Sequence, residues 1–249
     1  ADERGHGEGA AAGAQEVVIA ARVDSVRERI ARAAARAGRS PDEITLVAVS
    51  KTHPPERIRE AFAAGLRHFG ENKVQEGLQK IEGTADIKIR WHLIGHLQSN
   101  KAKRAATAFA CIHSVDSMEL LRKIDAAAAD SGAAPDLLVQ VDLAGEETKF
   151  GATVDEARRI VEAGSSLRAA RVTGLMLIPP WNEDQEQTRP WFVRLRELRD
   201  SWLAEGLPPA SLAQLSMGMS HDFEAAVEEG ATIVRVGTAS EPAEIRSRA

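Results

Sequence analysis

Two kinds of pattern alternate along the chain. Short runs of consecutive apolar, often β-branched residues are each cut off by polar residues, Gly or Pro. Between them lie longer stretches in which apolar residues return every three or four positions. A continuous apolar run suits a strand buried on both faces, whereas the 3.6-residue period suits a helix laid on a core. Strands are predicted at Ile44–Lys51, His68–Asn72, Ile89–Gly95, Ala110–Asp116, Leu137–Asp142, Val172–Ile178, Ala213–Met217 and Thr232–Gly237. Helices are predicted at Gln15–Arg36, Pro55–Ala64, Lys73–Ile81, Gln98–Ala106, Ser117–Asp130 and up to Ala163 from a Thr153 cap. Two more follow, Glu183–Glu205 with an irregular start around Pro190, and Asp222–Glu229 capped by Ser220. In the first helix, Val18, Ala21, Val26, Ile30 and Ala33 or Ala34 fall near one face. Gly38 and Gly65 mark helix ends.

Eight strand–helix units with doubly buried strands imply a parallel sheet with right-handed crossovers. The length of 249 residues fits one closed (β/α)8 barrel of the TIM type. No convincing helix follows the last strand, so the N-terminal helix is expected to pack outside the barrel in its place. An open, doubly wound sheet is the alternative. Ala1–Ala14, rich in Gly, Ala and Glu, reads as a disordered tail, which leaves 15–249 as a single domain.

Composition removes several function classes. The formal net charge is -5, with no electrostatic reason to bind nucleic acid or an anionic membrane. No apolar run reaches membrane-spanning length, and the first residues lack the order of a signal peptide. Cys111 is the single cysteine, which excludes an internal disulfide framework and a cysteine-rich zinc site. A reducing cytoplasm fits this usage. No exposed apolar helix demands a dimer, so a monomer is expected.

A barrel of this kind places its active site at the C-terminal strand ends. There the sequence puts Lys51, Glu71, Asn72, His92, Gly95, His113, Ser114, Asp116, Asp142, Met176, Ser216, Arg235, Gly237 and Thr238. A lysine at the exit of a buried strand can serve as an amine nucleophile, although most such lysines only pack their stems and extend to water. Leu215–Ser220 (Leu-Ser-Met-Gly-Met-Ser) and Val234–Thr238 (Val-Arg-Val-Gly-Thr) follow strands seven and eight. Loops in those two slots often bind phosphate. An amine and a phosphate cup on one rim point to a carbonyl phosphate held as a Schiff base, either pyridoxal 5′-phosphate or a sugar phosphate in a lysine aldolase. Arg235 favours the former, because an always-charged guanidinium would face a ring nitrogen and keep it an unprotonated acceptor.

Ordered motifs sharpen the choice. Leu46–Thr52 (LVAVSKT), Phe69–Glu76 (FGENKVQE), Trp91–Lys101 (WHLIGHLQSNK), Val141–Gly151 (VDLAGEETKFG), Gly174–Met176 (GLM), Leu215–Asp222 (LSMGMSHD) and Val234–Ala239 (VRVGTA) together resemble the pyridoxal phosphate homeostasis protein family. The resemblance runs from about Val23 to Ala239. It implies a fold-type III barrel like the N-terminal domain of alanine racemase, without that enzyme's C-terminal β-domain. It also implies pyridoxal phosphate on Lys51 and phosphate-binding positions at Ser216, Ser220, Gly237 and Thr238. Arg235 would face the pyridine nitrogen, and Asn72, His92 and Met176 would line the cofactor. Lys149 matches a lysine near the pocket that takes part in cofactor exchange. Lys73 stands where the family often has an aromatic residue, and Ser240-Glu241-Pro242 replaces its usual Ile-Phe-Gly.

An alanine-racemase-type enzyme needs a tyrosine opposite the lysine, supplied by an additional β-domain. This chain contains no tyrosine, and its length leaves no room for that domain. Cys111 or His113 could substitute, but no motif places either. A cytoplasmic protein that holds, buffers or delivers pyridoxal phosphate to apo-enzymes is therefore expected, with no catalysis of its own. The alternative is a pyridoxal phosphate-dependent amino-acid racemase, and a Schiff-base aldolase is the third.

Overall fold

A computed structural model describes residues 6–145 and 150–237, with side chains from Val17 onward. The continuous apolar runs become eight parallel strands: β1 (Thr45–Val49), β2 (His68–Glu71), β3 (Arg90–Leu93), β4 (Cys111–Val115), β5 (Asp136–Gln140), β6 (Arg171–Met176), β7 (Gln214–Met219) and β8 (Ile233–Gly237). They close in chain order, with Thr45–Val49 pairing in register with Ile233–Gly237. The open-sheet alternative is therefore excluded. Successive side chains on a strand point to opposite faces. Thus Leu137 and Val139 join the sleeve between barrel and helices, whereas Leu138 packs inside with Val47, Cys111, Met176 and Ile233.

The periodic stretches become α1 (His6–Arg36), α2 (Pro55–Ala63), α3 (Val74–Gly83), α4 (Ala102–Ala108), α5 (Met118–Ser131), α6 (Val154–Ala163), α7 (Arg189–Ala204) and α8 (Phe223–Glu228). The expected outer packing of the N-terminal helix is observed. Arg29 pairs with Glu224 at 3.0 Å and Arg36 with Glu228 at 2.6 Å, while Arg27 donates to the Gly65 carbonyl at 2.9 Å. These contacts wedge α1 between α2 and α8. Its buried face differs from the predicted one. Val23, Ile30, Ala33 and Ala34 are buried, but Val18 and Ala21 are exposed, because the packed face begins at Ile19 and continues through Val23 and Val26. The helix also starts at His6, inside the stretch whose composition reads as a tail; Ala and Glu are strong helix formers.

Caps follow the sequence in two cases and not in a third. The Ser117 and Thr153 hydroxyls each accept a backbone N–H of the first turn at 3.2 Å. Ser220 does not cap α8: Asp222 holds that position, and the Ser220 hydroxyl instead accepts the Gly237 N–H at 2.9 Å. Pro190 lies in the first turn of α7, where its missing N–H costs nothing, after a short 3-10 turn at Gln185–Gln187.

Asp125 of α5 clamps the approach to β6. Its carboxylate accepts the N–H groups of Arg168, Ala169 and Ala170 at 2.9–3.1 Å. Burial pushes the carboxyl up, but these three donors together hold it below its ordinary 3.8. Asp125→Ala orphans them and should cost about 2–4 kcal/mol in a urea melt. Since the folded value is depressed, this contribution is present above the unfolded pKa and is lost as pH falls through the folded one. The gap between wild type and variant should close in acid; a gap of equal size at low pH would contradict the assignment.

Candidate functional site

The chain leaves β1 through Ser50 and Lys51. Lys51 is exposed, and the residues on either side of it are pinned. Ser50 donates its hydroxyl to Glu71 at 2.5 Å and its N–H to the Gly70 carbonyl at 3.0 Å. The Ser50 carbonyl accepts from the Lys80 ammonium at 2.6 Å. The Thr52 N–H donates to Glu76 at 2.9 Å, and Thr52 is the one non-glycine residue with positive φ (66°) among the described residues. Lys80 also bonds Glu71 at 2.7 Å and Glu76 at 2.8 Å. An ion-pair cluster between β2 and α3, buried at Glu71 and Lys80, thus sets the turn that presents the Lys51 amine. Glu71, predicted among the rim residues, points away from the mouth into this cluster.

Asn72 follows β2 on the same rim. Its carbonyl oxygen packs so close to Gly95 that a Cβ at residue 95 would lie 2.1 Å from it, so only glycine fits there. The two loops predicted as a phosphate cup are tied together by the Ser220–Gly237 bond. Between them Gly218 adopts φ +94°, and an added Cβ would come within 2.5 Å of Ala226. Because β8 pairs with both β7 and β1, Ser220, Gly237 and Lys51 occupy adjoining stretches of one rim. Thr238 and Lys149 lie outside the described residues.

Arg235 sits inside the barrel and is buried. It donates to the Ser216 hydroxyl at 2.6 Å and to the Leu177 carbonyl at 3.0 Å. A guanidinium has five N–H donors, so others remain for a ligand atom. Burial pulls its pKa down to about 10, opposed by Asp222, and it stays charged at neutral pH. Ser216, one of the positions expected to bind phosphate, is fully buried, with its hydroxyl facing Arg235 and His113. Met176 is likewise fully buried in the barrel interior.

His92 has no ring nitrogen to offer a ligand. Its Nε2 lies 2.9 Å from His68 Nδ1, and its Nδ1 lies 2.9 Å from His113 Nε2. Burial, aided by His68 and Arg90, drops its pKa to about 3. His113 continues to Ser216 through Nδ1 at 2.8 Å. Ligand atoms of His92, Cys111 and His113 lie within 4.8 Å of one another. The set suits a metal poorly: the imidazoles already bond each other, burial keeps the Cys111 thiol protonated, and the Arg235 cation joins the same row.

Sequence reasoning did not find the roles of His68, His113 and Lys80. The Glu76–Lys80 spacing of four is a legible helical ion pair. The imidazole row had a fainter signal, three strands each carrying a histidine in the inward phase.

The model of the family described as alanine racemase, N-terminal domain, matches residues 22–240. The chain is 46% identical over 217 residues to the pyridoxal phosphate homeostasis protein of Aquifex aeolicus, covering 87% of this chain and 94% of that protein. It is 43% identical over 222 residues to the protein of that name from Pseudomonas aeruginosa, covering 89% and 94%. Among solved structures, PipY of Synechococcus elongatus PCC7942 with PLP bound is 41% identical. The TM-score is 0.77, with 88% of this chain and 98% of that one covered.

Proposed function

The chain belongs to the pyridoxal phosphate homeostasis protein family, and from that premise we propose that it binds pyridoxal 5′-phosphate through Lys51 and serves as a carrier that buffers or delivers it. The observation that carries the proposal is one barrel mouth with an accessible lysine amine, a buried, charged guanidinium with spare donors inside it, and two loops tied by the Ser220–Gly237 bond. This donor set fits an aldehyde, a ring nitrogen and a phosphate respectively. When bound, the cofactor supplies an aldehyde that bonds to a lysine amine and a ring that can withdraw electrons.

In this reading Lys51 supplies the amine and Arg235 donates to the ring nitrogen. Ser220, Gly237 and Thr238 hold the phosphate, Asn72 lines the mouth, and Met176 lines the cofactor from the barrel interior. Ser216 and His92 act from behind, through Arg235. A guanidinium donor keeps the ring nitrogen an acceptor, which weakens electron withdrawal and favours storage over catalysis. The two groups that could replace the missing tyrosine are both committed elsewhere. Cys111 is a buried thiol, and both nitrogens of His113 lie within the interior row. Recipients are apo-enzymes that use the same cofactor, reached in the cytoplasm by a single copy of the chain.

Equilibrium binding tests the cup. Pyridoxal, which lacks the phosphate, should bind at least about tenfold more weakly, a difference of about 1.4 kcal/mol. Ser220→Ala should weaken pyridoxal phosphate more than pyridoxal. Equal affinity for both compounds would remove the cup. Lys51-dependent exchange of amino-acid α-hydrogens in deuterated buffer would replace the carrier by the racemase alternative.

A further inference from the structure

Five side chains form one hydrogen-bonded row across the barrel interior: His68 on β2, His92 on β3, His113 on β4, Ser216 on β7 and Arg235 on β8. His68, the first residue of β2, is partly exposed, whereas the other four are buried. A neutral imidazole carries one proton, so each contact in the row must pair one N–H with one lone pair. Only two arrangements do so throughout: every histidine protonated at Nε2, or every histidine protonated at Nδ1.

The Arg235 end decides between them. Its Nη1–H donates to Ser216 Oγ, which leaves the Ser216 O–H to find an acceptor. With Nδ1 protonated throughout, His113 would also donate to Ser216. The O–H, fully buried, would then have no acceptor among the described residues. With Nε2 protonated throughout, Ser216 donates to His113 Nδ1, His113 to His92 Nδ1 and His92 to His68 Nδ1. The last Nε2–H, on His68, is left at the partly exposed end.

We propose that His68, His92 and His113 form a single polarised row, all protonated at Nε2, whose lone-pair ends point towards Ser216 and Arg235 and stand in for the carboxylate that a buried guanidinium ordinarily has. No carboxylate hydrogen-bonds Arg235 among the described residues; Asp222 acts on it only through its field. Aligned dipoles stabilise a cation without neutralising it. Arg235 therefore keeps its full charge for whatever approaches from the mouth. The row itself stays neutral because burial disfavours imidazolium, reinforced at His113 by His92 and Arg235 and at His68 by Arg90.

Long-range proton–nitrogen correlation spectra of the cofactor-free chain, labelled at histidine nitrogen, read these protons directly. His92 and His113 are expected to be neutral Nε2–H tautomers between about pH 6 and about pH 8. An Nδ1–H at His113, or imidazolium at either residue, would overturn the row. His68→Gln assigns the His68 signal, and the new side-chain carbonyl can still accept from His92, so the other two tautomers should persist; their reversal would also overturn it. Ser216→Ala removes the terminal donor and should mix the His113 tautomers, and an unchanged His113 signal would break the link to Arg235. The last measurement rests on the proposed cofactor: in the loaded protein, Ser216→Ala should shift the pH profile of the bound cofactor's absorption. An unchanged profile overturns the role towards Arg235, whereas failure of the wild-type chain to load at all would fault the cofactor proposal and leave the tautomer result standing.

Discussion

Lys51→Ala should lack the Schiff-base absorption band that the wild-type chain acquires with pyridoxal phosphate, once unbound cofactor is removed. The lysine is exposed and its amine makes no hydrogen bond among the described residues, so its removal should change stability by no more than about 0.5 kcal/mol. Binding should persist in weakened form, since Arg235 and the two phosphate loops are untouched. The expected loss is on the order of 100-fold, about 2.7 kcal/mol. Lys51→Arg should behave alike, because a guanidinium keeps the charge but is no amine nucleophile at neutral pH. Absorption spectra and equilibrium dialysis read both effects, and an unaltered yellow band in Lys51→Ala would place the covalent bond elsewhere.

Lys80→Met should be the most damaging single substitution at the rim, costing about 3–5 kcal/mol in chemical denaturation. Glu71 is fully buried, and burial pushes its carboxyl above the usual range against the pull of Lys80 and Ser50. One oxygen, Oε2, has no partner among the described residues. Without Lys80, the carboxylate keeps only the Ser50 hydroxyl. The Ser50 carbonyl also loses its ammonium donor, so the turn carrying Lys51 should loosen with the core. The pair is better judged by its double mutant than by its attraction, since two buried charges are costly to desolvate. Glu71→Gln combined with Lys80→Met should recover much of the loss. If Lys80→Met costs less than about 1 kcal/mol, or the second change adds fully to the first, the cluster does not hold the turn.

Much of this architecture is legible in the order of residues. Leu137-Leu138-Val139 reads as a strand buried on both faces because a barrel interior and a helical sleeve both exclude water. Lys51, Ser220 and Gly237 fall on the predicted rim because strand ends are marked by turn residues. What the sequence concealed is side-chain partnership across strands distant in the chain. Nothing near Ser216 signals that its hydroxyl lies between His113 and Arg235, 103 and 19 residues away. The residues around His92 do not reveal its two imidazole partners, which the register between β2, β3 and β4 supplies. Periodicity marked the packing face of α1 from Val26 onward, whereas at its start that face runs through Ile19 and Val23 in place of Val18 and Ala21. Ser220 looked like a helix cap because a hydroxyl two residues before Asp222 has the right chemistry, while the competing Gly237 N–H comes from another strand.

Covalent attachment of the cofactor at Lys51 is open to direct chemical test. Borohydride reduction of the loaded chain, followed by proteolysis and mass spectrometry, locates any lysine adduct. The expected product is a reduced pyridoxal phosphate adduct on the peptide containing Lys51. Adducts confined to other lysines, or none at all, would contradict it.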